Sequence, residues 1–173
     1  TSSLLPAAAT TTYPCCSIVS AIALTVAAEA LRARALHCPA SGAATPEYLD
    51  DAVLVLDGAR IASLLPAAAA AAKGLDLGRC RDLRPALLVP GFIDTHVHAP
   101  QLDIIASHGE QLLEWLERYT FPAEGRFADE GYAATAMDEF VQALLDHGTT
   151  SAMVHATSHE HATEALFSAA AQR

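Results

Sequence analysis

His96 and His98 stand two residues apart at the end of a short run, Phe92-Ile93-Asp94-Thr95-His96-Val97-His98. In an extended strand side chains alternate between faces, so residues i and i+2 share one face, about 6–7 Å apart along the strand. Two imidazoles placed in this way can converge on one metal, each nitrogen roughly 2.0–2.1 Å from it. Ile93, Thr95 and Val97 then face the other way. An isolated H-x-H is a weak motif that recurs by chance. Here Pro90-Gly91 precedes it, Asp94 lies inside it and Pro100 follows, which makes a much rarer string. The stretch is read as half of a metal site.

A catalytic zinc needs about three protein ligands and a water, and this strand offers two. His155, His159 and His161 form a second group, H-x3-H-x-H. Its spacing resembles that of a metal site, but a polar, histidine-rich loop is the favoured reading. His108-Gly109-Glu110 fits the H-x-E of the zinc nucleobase deaminases that also use P-C-x-x-C. No cysteine follows Cys80, which excludes that class. Asp94 shares the strand face of the histidine pair and reads as a structural residue. Asp103, Glu110 and Glu124 read as surface or loop charges. No glycine-rich phosphate loop and no Ser/His/Asp or Cys/His arrangement is present.

The 173 residues carry a formal net charge of −10. That balance lacks the basic footprint of a nucleic-acid binder and the polybasic segment of a membrane-surface protein. Neither nucleic acid nor membrane is expected as a partner. Four cysteines, Cys15, Cys16, Cys38 and Cys80, form no C-x-x-C, so they read as reduced thiols of a cytoplasmic protein. Residues 1–29 read as a low-complexity Ala/Thr/Ser leader. The apolar run 17–28 is too short for an ordinary transmembrane helix and lacks the basic flank of a signal peptide.

The elements that must position the histidines follow from patterning. Residues 31–37 alternate in part and predict a strand. Cys38 to Tyr48 reads as a loop. Residues 52–56 predict an apolar strand, Asp57-Gly58 a hairpin turn and Arg60 to Leu64 its partner. Residues 67–73, all Ala and Lys, predict a helix between Pro66 and Gly74. Leu83 to Val89 predicts a further strand. Beyond Gln101 a long connection is expected to fold locally, with Leu112, Leu113 and Leu116 in a core, Trp115 packing or lining a pocket, and Pro122 interrupting any helix.

Residues 129–147 predict the clearest helix, with Met137, Phe140, Val141, Leu144 and Leu145 on one stripe and Gly148 at its end. Thr149 to Val154 predicts a strand. A last helix follows, capped by Thr157 or Ser158. Strand, connection, helix, strand, helix is the opening of a parallel α/β fold.

The string Pro90-Gly91-Phe92-Ile93-Asp94-Thr95-His96-Val97-His98 resembles the first barrel strand of the amidohydrolase superfamily. His98-Ala99-Pro100-Gln101 and the long run from Leu112 through Trp115 and Tyr119 to Glu124 resemble its guanine deaminase family. Thr149-Thr150 and Ala156-Thr157-Ser158-His159 are also similar to that family. The resemblance covers roughly residues 31–173. It implies a zinc-dependent aminohydrolase that converts guanine to xanthine and ammonia in purine catabolism. The implied fold is the N-terminal part of a (β/α)8 barrel, preceded by strands of a small β-sandwich. Domains at 1–29 (leader), 30–88 (sandwich portion) and 89–173 (first two βα units) follow.

By the same resemblance His96 and His98 are zinc ligands, and His98, Ala99, Pro100 and Gln101 line the substrate pocket. His159 matches a family histidine, and no role is assigned to it. A homodimer is implied at full length. The family's other ligands, two His and an Asp, and its Glu proton shuttle come from later strands, so no catalytic residue is assigned here. The expectation is an incomplete N-terminal portion, inactive alone, with uncovered apolar faces that lower its solubility. The rivals are an amidohydrolase acting on another nucleobase or a triazine, and a non-enzymatic truncated product or interaction module.

Overall fold

The computed structural model describes residues 29–39 and 45–173. It divides into two compact units, with the break between Pro90 and Gly91. The leader other than Glu29, the apolar run 17–28 and the Cys15-Cys16 pair lie outside the described residues.

The first unit is a four-stranded sheet in the order β3-β2-β1-β4, built from β1 (Glu29–His37), β2 (Glu47–Asp57), β3 (Arg60–Pro66) and β4 (Arg81–Leu88). Strands β1 and β2 pair antiparallel, β2 and β3 form the expected hairpin, and β4 lies parallel to β1. The turn uses Gly58 at φ 56, a left-handed conformation that costs glycine little. Strand β2 begins at Glu47, so Tyr48 belongs to the strand and not to the loop expected there. Helix α1 (Ala67–Ala72) follows Pro66 directly. A small core forms from Val53, Val55, Ala67 and Ala70. Pro85 sits in the edge strand β4, where its missing N–H breaks no central ladder. Between β1 and β2 the Arg32 guanidinium donates twice to the Asp51 carboxylate, at 2.8 and 2.6 Å.

The second unit starts at Gly91. Strand β5 (Phe92–His98) pairs in parallel with β6 (Thr149–His155). Between them runs a connection that is helical over most of its length. A 3-10 turn covers Ala99–Ile104. Helix α2 (Leu112–Trp115), a wide π turn (Leu116–Thr120), α3 (Phe121–Gly125) and a second 3-10 turn (Arg126–Ala128) then succeed one another. Pro122 does not end this path. It falls in the first turn of α3, where a proline needs no intrahelical donor, and the π turn lies just ahead of it. Leu112 and Leu113, expected in a core, are 70% and 73% exposed. Both stand in α2, where neither packs against the core cluster of the unit.

Helix α4 (Glu130–Asp146) forms as expected and is capped by Asp129, which accepts from the Tyr132 N–H at 2.7 Å. Met137, Phe140 and Val141 are buried, while Leu145 at the end of the stripe is 39% exposed. Helix α5 (Glu160–Ala171) packs beside α4. His159 occupies its N-cap position, in place of the expected Thr157 or Ser158. Thr157 instead accepts the backbone N–H of His159 at 3.0 Å, turning the chain before the helix begins. The core of the unit joins Ala99, Phe127, Ala133, Met137, Phe140, Val141, Ala162 and Ala169. Phe92, Ile93, Met153 and Phe167 are each more than half exposed. Among the described residues no helix is long and apolar enough to cross a membrane.

Candidate metal centre

Alternation along β5 places His96 and His98 on one face, as expected, with their Nε2 atoms 3.0 Å apart. Val97, between them, turns the other way and packs against the core. The Asp94 carboxylate accepts the backbone N–H of His96 at 3.0 Å, which fixes the strand just ahead of the pair.

A third imidazole joins them. Parallel pairing aligns His98 with His155, the last residue of β6. Neighbouring strands lie roughly 4.7–4.9 Å apart, so register partners on one face bring their rings together. The His98 and His155 rings stack at 4.6 Å and 13°, and His155 lies 4.6 Å from the His96 ring. One ring nitrogen from each residue falls within 4.8 Å of the other two. Sequence reasoning put His155 at a strand position but grouped it with His159 and His161, with a polar histidine-rich loop as the favoured reading of that group, and did not join it to His96 and His98. The usable signal was that both strands end in histidine, but it counts only once the parallel register is known.

His159 and His161 take other partners. The Thr157 hydroxyl and His159 Nδ1 lie 3.1 Å apart. His161 Nε2 donates to the carbonyl of buried Phe127 at 2.7 Å. The Glu110 carboxylate accepts from Arg118.

Burial lowers the pKa of His98, and the neighbouring His155 and His96 lower it further, while Glu124 opposes them. Neutral imidazole, the form with a free lone pair, is therefore favoured at this position, and it is the form a metal requires. Glu124, read from sequence as a surface charge, lies close enough to His98 for its charge to act there.

The chain leaves β5 through the turn that carries the remaining expected site residues. Ala99 and Pro100 are buried, and the Ala99 methyl belongs to the core cluster. Gln101 is half-buried in the same turn. Asp103 anchors the turn by accepting from Arg126 at 2.8 Å and from the Tyr132 hydroxyl at 2.9 Å. Half-buried Trp115 donates its indole N–H to Ser107 at 2.9 Å.

Residues 87–172 match the model of the amidohydrolase family. Guanine deaminase of Escherichia coli (strain K12) is 50% identical over 95 residues, which are 55% of this chain and 22% of that protein. A solved structure of E. coli guanine deaminase superposes on 83% of this chain with a TM-score of 0.71 at 34% identity, covering 35% of that chain. A probable guanine deaminase from Deinococcus radiodurans is 42% identical over 152 residues, 82% of this chain and 34% of that protein. Guanine deaminase from C. acetobutylicum, solved with guanine bound in its active site, matches 82% of this chain and 33% of its own at a TM-score of 0.65 and 27% identity. This chain thus spans 22–35% of the length of these relatives. Residues 87–172, the stretch that carries all three clustered histidines, are thus similar to the amidohydrolase family.

Proposed function

We propose that this chain is part of a zinc-dependent hydrolase that deaminates guanine to xanthine and ammonia. The observation that carries the reading is the histidine cluster at the C-terminal ends of two parallel strands, in a chain similar to guanine deaminases. In this reading β5 and β6 open a (β/α)8 barrel, whose chemistry gathers at the C-terminal ends of its strands. The sheet of the first unit belongs to a small β-sandwich. Full length, the protein is a cytoplasmic homodimer of purine catabolism.

The donor set fits zinc. Imidazole nitrogen is a preferred zinc ligand, and His96 and His98 Nε2 face each other at 3.0 Å. When bound, zinc supplies a water acidic enough to act as a nucleophile at neutral pH. The chain's own residues hold and aim. His96 and His98 are the ligands. Asp94 steadies the backbone just ahead of them by accepting the His96 N–H. Gln101 offers both a donor and an acceptor to a purine edge, from a turn that Asp103 ties to Arg126 and Tyr132. Buried Ala99 and Pro100 set the rigid start of that turn at the pocket wall. Proton transfer is assigned to no residue of this chain, and the 173 residues alone are expected to release no xanthine.

A hybrid tests this, with residues 31–173 replacing the matching segment of E. coli guanine deaminase. A folded, zinc-loaded hybrid is expected to deaminate guanine in preference to adenine and cytosine, and to lose activity on His96→Ala or His98→Ala. A folded, zinc-loaded hybrid that ignores guanine or prefers another base contradicts the proposal.

A further inference from the structure

We propose that Asp103 is a positioning residue for the substrate: gripped by Arg126 and Tyr132, it locks the turn from which Gln101 meets the purine. The inference rests on the guanine-deaminating reading above and gives that reading a further residue.

The turn does not hold itself. Gln101 stands in a six-residue 3-10 turn, Ala99–Ile104. Such turns have poor hydrogen-bond geometry and rarely run beyond three or four residues. No side chain caps its N-terminus. Beyond it the chain passes through Ala106 at φ 62, a conformation disfavoured for a residue with a Cβ. In a 3-10 helix residues i and i+3 share one row. Ala99 and Leu102 form the row that packs on the core. Pro100 and Asp103 form the next, and Gln101 shares the third with Ile104. Buried Pro100 holds the second row at its N-terminal end. At the C-terminal end that row is held through Asp103. A roll of the turn about its core row would swing Gln101.

The grip on Asp103 is a closed one. A single carboxylate oxygen accepts from Arg126 Nη1 at 2.8 Å and from the Tyr132 hydroxyl at 2.9 Å. The two donors also hold one another, with the Arg126 guanidinium carbon 4.1 Å from the centre of the Tyr132 ring, an arrangement the ring quadrupole favours. Tyr132 is itself fixed. Its backbone N–H is capped by Asp129, and its ring meets that of buried Phe127 edge-on at 5.0 Å. Burial raises the pKa of the Tyr132 hydroxyl and the bond to Asp103 raises it further, so the phenol stays a donor at neutral pH. The Gln101 turn, the turn Arg126–Ala128 and α4 thus meet at one oxygen.

Exposure says what this grip is for. The Arg126 and Asp103 side chains are 53% and 46% exposed, and exposed ion pairs contribute little to global stability. The effect is local, two residues from Gln101. An amide reads its partner by direction as well as distance, and misplacing a positioned group by about 1 Å can cost on the order of a hundredfold in rate.

The test uses the zinc-loaded hybrid described above and reads kcat and KM for guanine, with the urea midpoint beside them. Asp103→Ala is expected to raise KM on the order of tenfold with little change in kcat and with the midpoint near the parent's. Asp103→Glu, which keeps the carboxylate, is expected to restore most of the loss. In a Gln101→Ala background Asp103→Ala should add almost nothing, because a residue that acts through Gln101 has nothing left to position. Arg173→Gln, which breaks the surface pair with Asp138, is the control expected to change neither constant. If the parent hybrid is active and Asp103→Ala leaves KM unchanged, or costs as much without Gln101 as with it, the role of Asp103 falls and the proposed function stands. A KM rise that Asp103→Glu does not reverse and that follows a lowered midpoint assigns Asp103 to stability alone. A folded, zinc-loaded parent hybrid without guanine turnover overturns both readings. Tyr132→Phe keeps the ring and decides the question where Asp103→Ala does not fold: KM raised severalfold supports the grip, and an unchanged KM contradicts it. Amide NMR relaxation of the full 173-residue chain checks the turn without turnover. The Gln101 N–H is expected to be as rigid as strand β5 in the parent and more mobile in Asp103→Ala, and equal rigidity in both contradicts the proposal.

Discussion

His98 and His155 are register partners on adjacent parallel strands, and their rings stack 4.6 Å apart at an angle of 13°. They are 57 positions apart in sequence, separated by the whole helical connection and α4. The pairing of β5 with β6 is therefore what brings His155 to the His96–His98 pair, and anything that disturbs it is expected to disturb the proposed metal centre.

Gly91 stands at the base of that pairing. A Cβ there would lie 2.0 Å from Thr150 Oγ1 and 2.7 Å from Thr150 Cβ. The second of these cannot be relieved by rotating the side chain. Gly91→Ala is expected to destabilise the chain by about 1–3 kcal/mol and to weaken metal binding. Adding Thr150→Gly should recover much of the loss, because it removes every atom of the clash. Gly109→Ala, with open space around it, serves as the silent control. Urea unfolding checks the series, and a Gly91→Ala chain as stable as the parent would count against the close approach.

Met137 is fully buried at the centre of the second unit, in one cluster with Phe127 and Phe140. Met137→Ala leaves a cavity among partners fixed on α4 and the turn before it. The expected cost is about 2–5 kcal/mol, read from the shift of the urea midpoint. The solvent-exposed Met153 on β6 should tolerate the same change with little loss.

His161 separates a structural histidine from the proposed metal ligands. Its ring supplies the donor for the Phe127 carbonyl, and Phe127 is buried. His161→Ala leaves that acceptor unpaired at a cost of about 1–3 kcal/mol. Metal affinity measured by dialysis should not change. A loss of affinity in a variant that remains folded would place His161 in the site.

Arg32 and Asp51 give the first unit an acid-sensitive link. The paired guanidinium holds the Asp51 carboxyl below its ordinary value of 3.8. A depressed folded pKa contributes stability that is fully present above the unfolded value and is lost as pH falls through the folded one. The Asp51 carboxyl carbon is expected to titrate below 3.8 by NMR and to return upward in Arg32→Leu. A parent titration at or above that value would show that the pair does not hold in solution.

Much of this architecture was legible in the residues. The H-x-H alternation, the Asp57-Gly58 turn and the Met137-Phe140-Val141 stripe depend on neighbours within a few positions, and each formed as read. The misses depend on distant partners. Nothing within Leu112 and Leu113 says whether a core lies against them, and none does. The cap of α5 shifted to His159 because Thr157 spends its hydroxyl on an earlier backbone N–H. His155 joined the histidine cluster only through a pairing register that sequence spacing cannot supply.

The most direct test is a crystal structure of the chain grown with Zn2+, with diffraction recorded on both sides of the zinc absorption edge. The expected result is one anomalous peak about 2.0–2.1 Å from the Nε2 atoms of His96 and His98. No peak at the ends of β5 and β6, or a zinc held only by other residues, would contradict the metal centre.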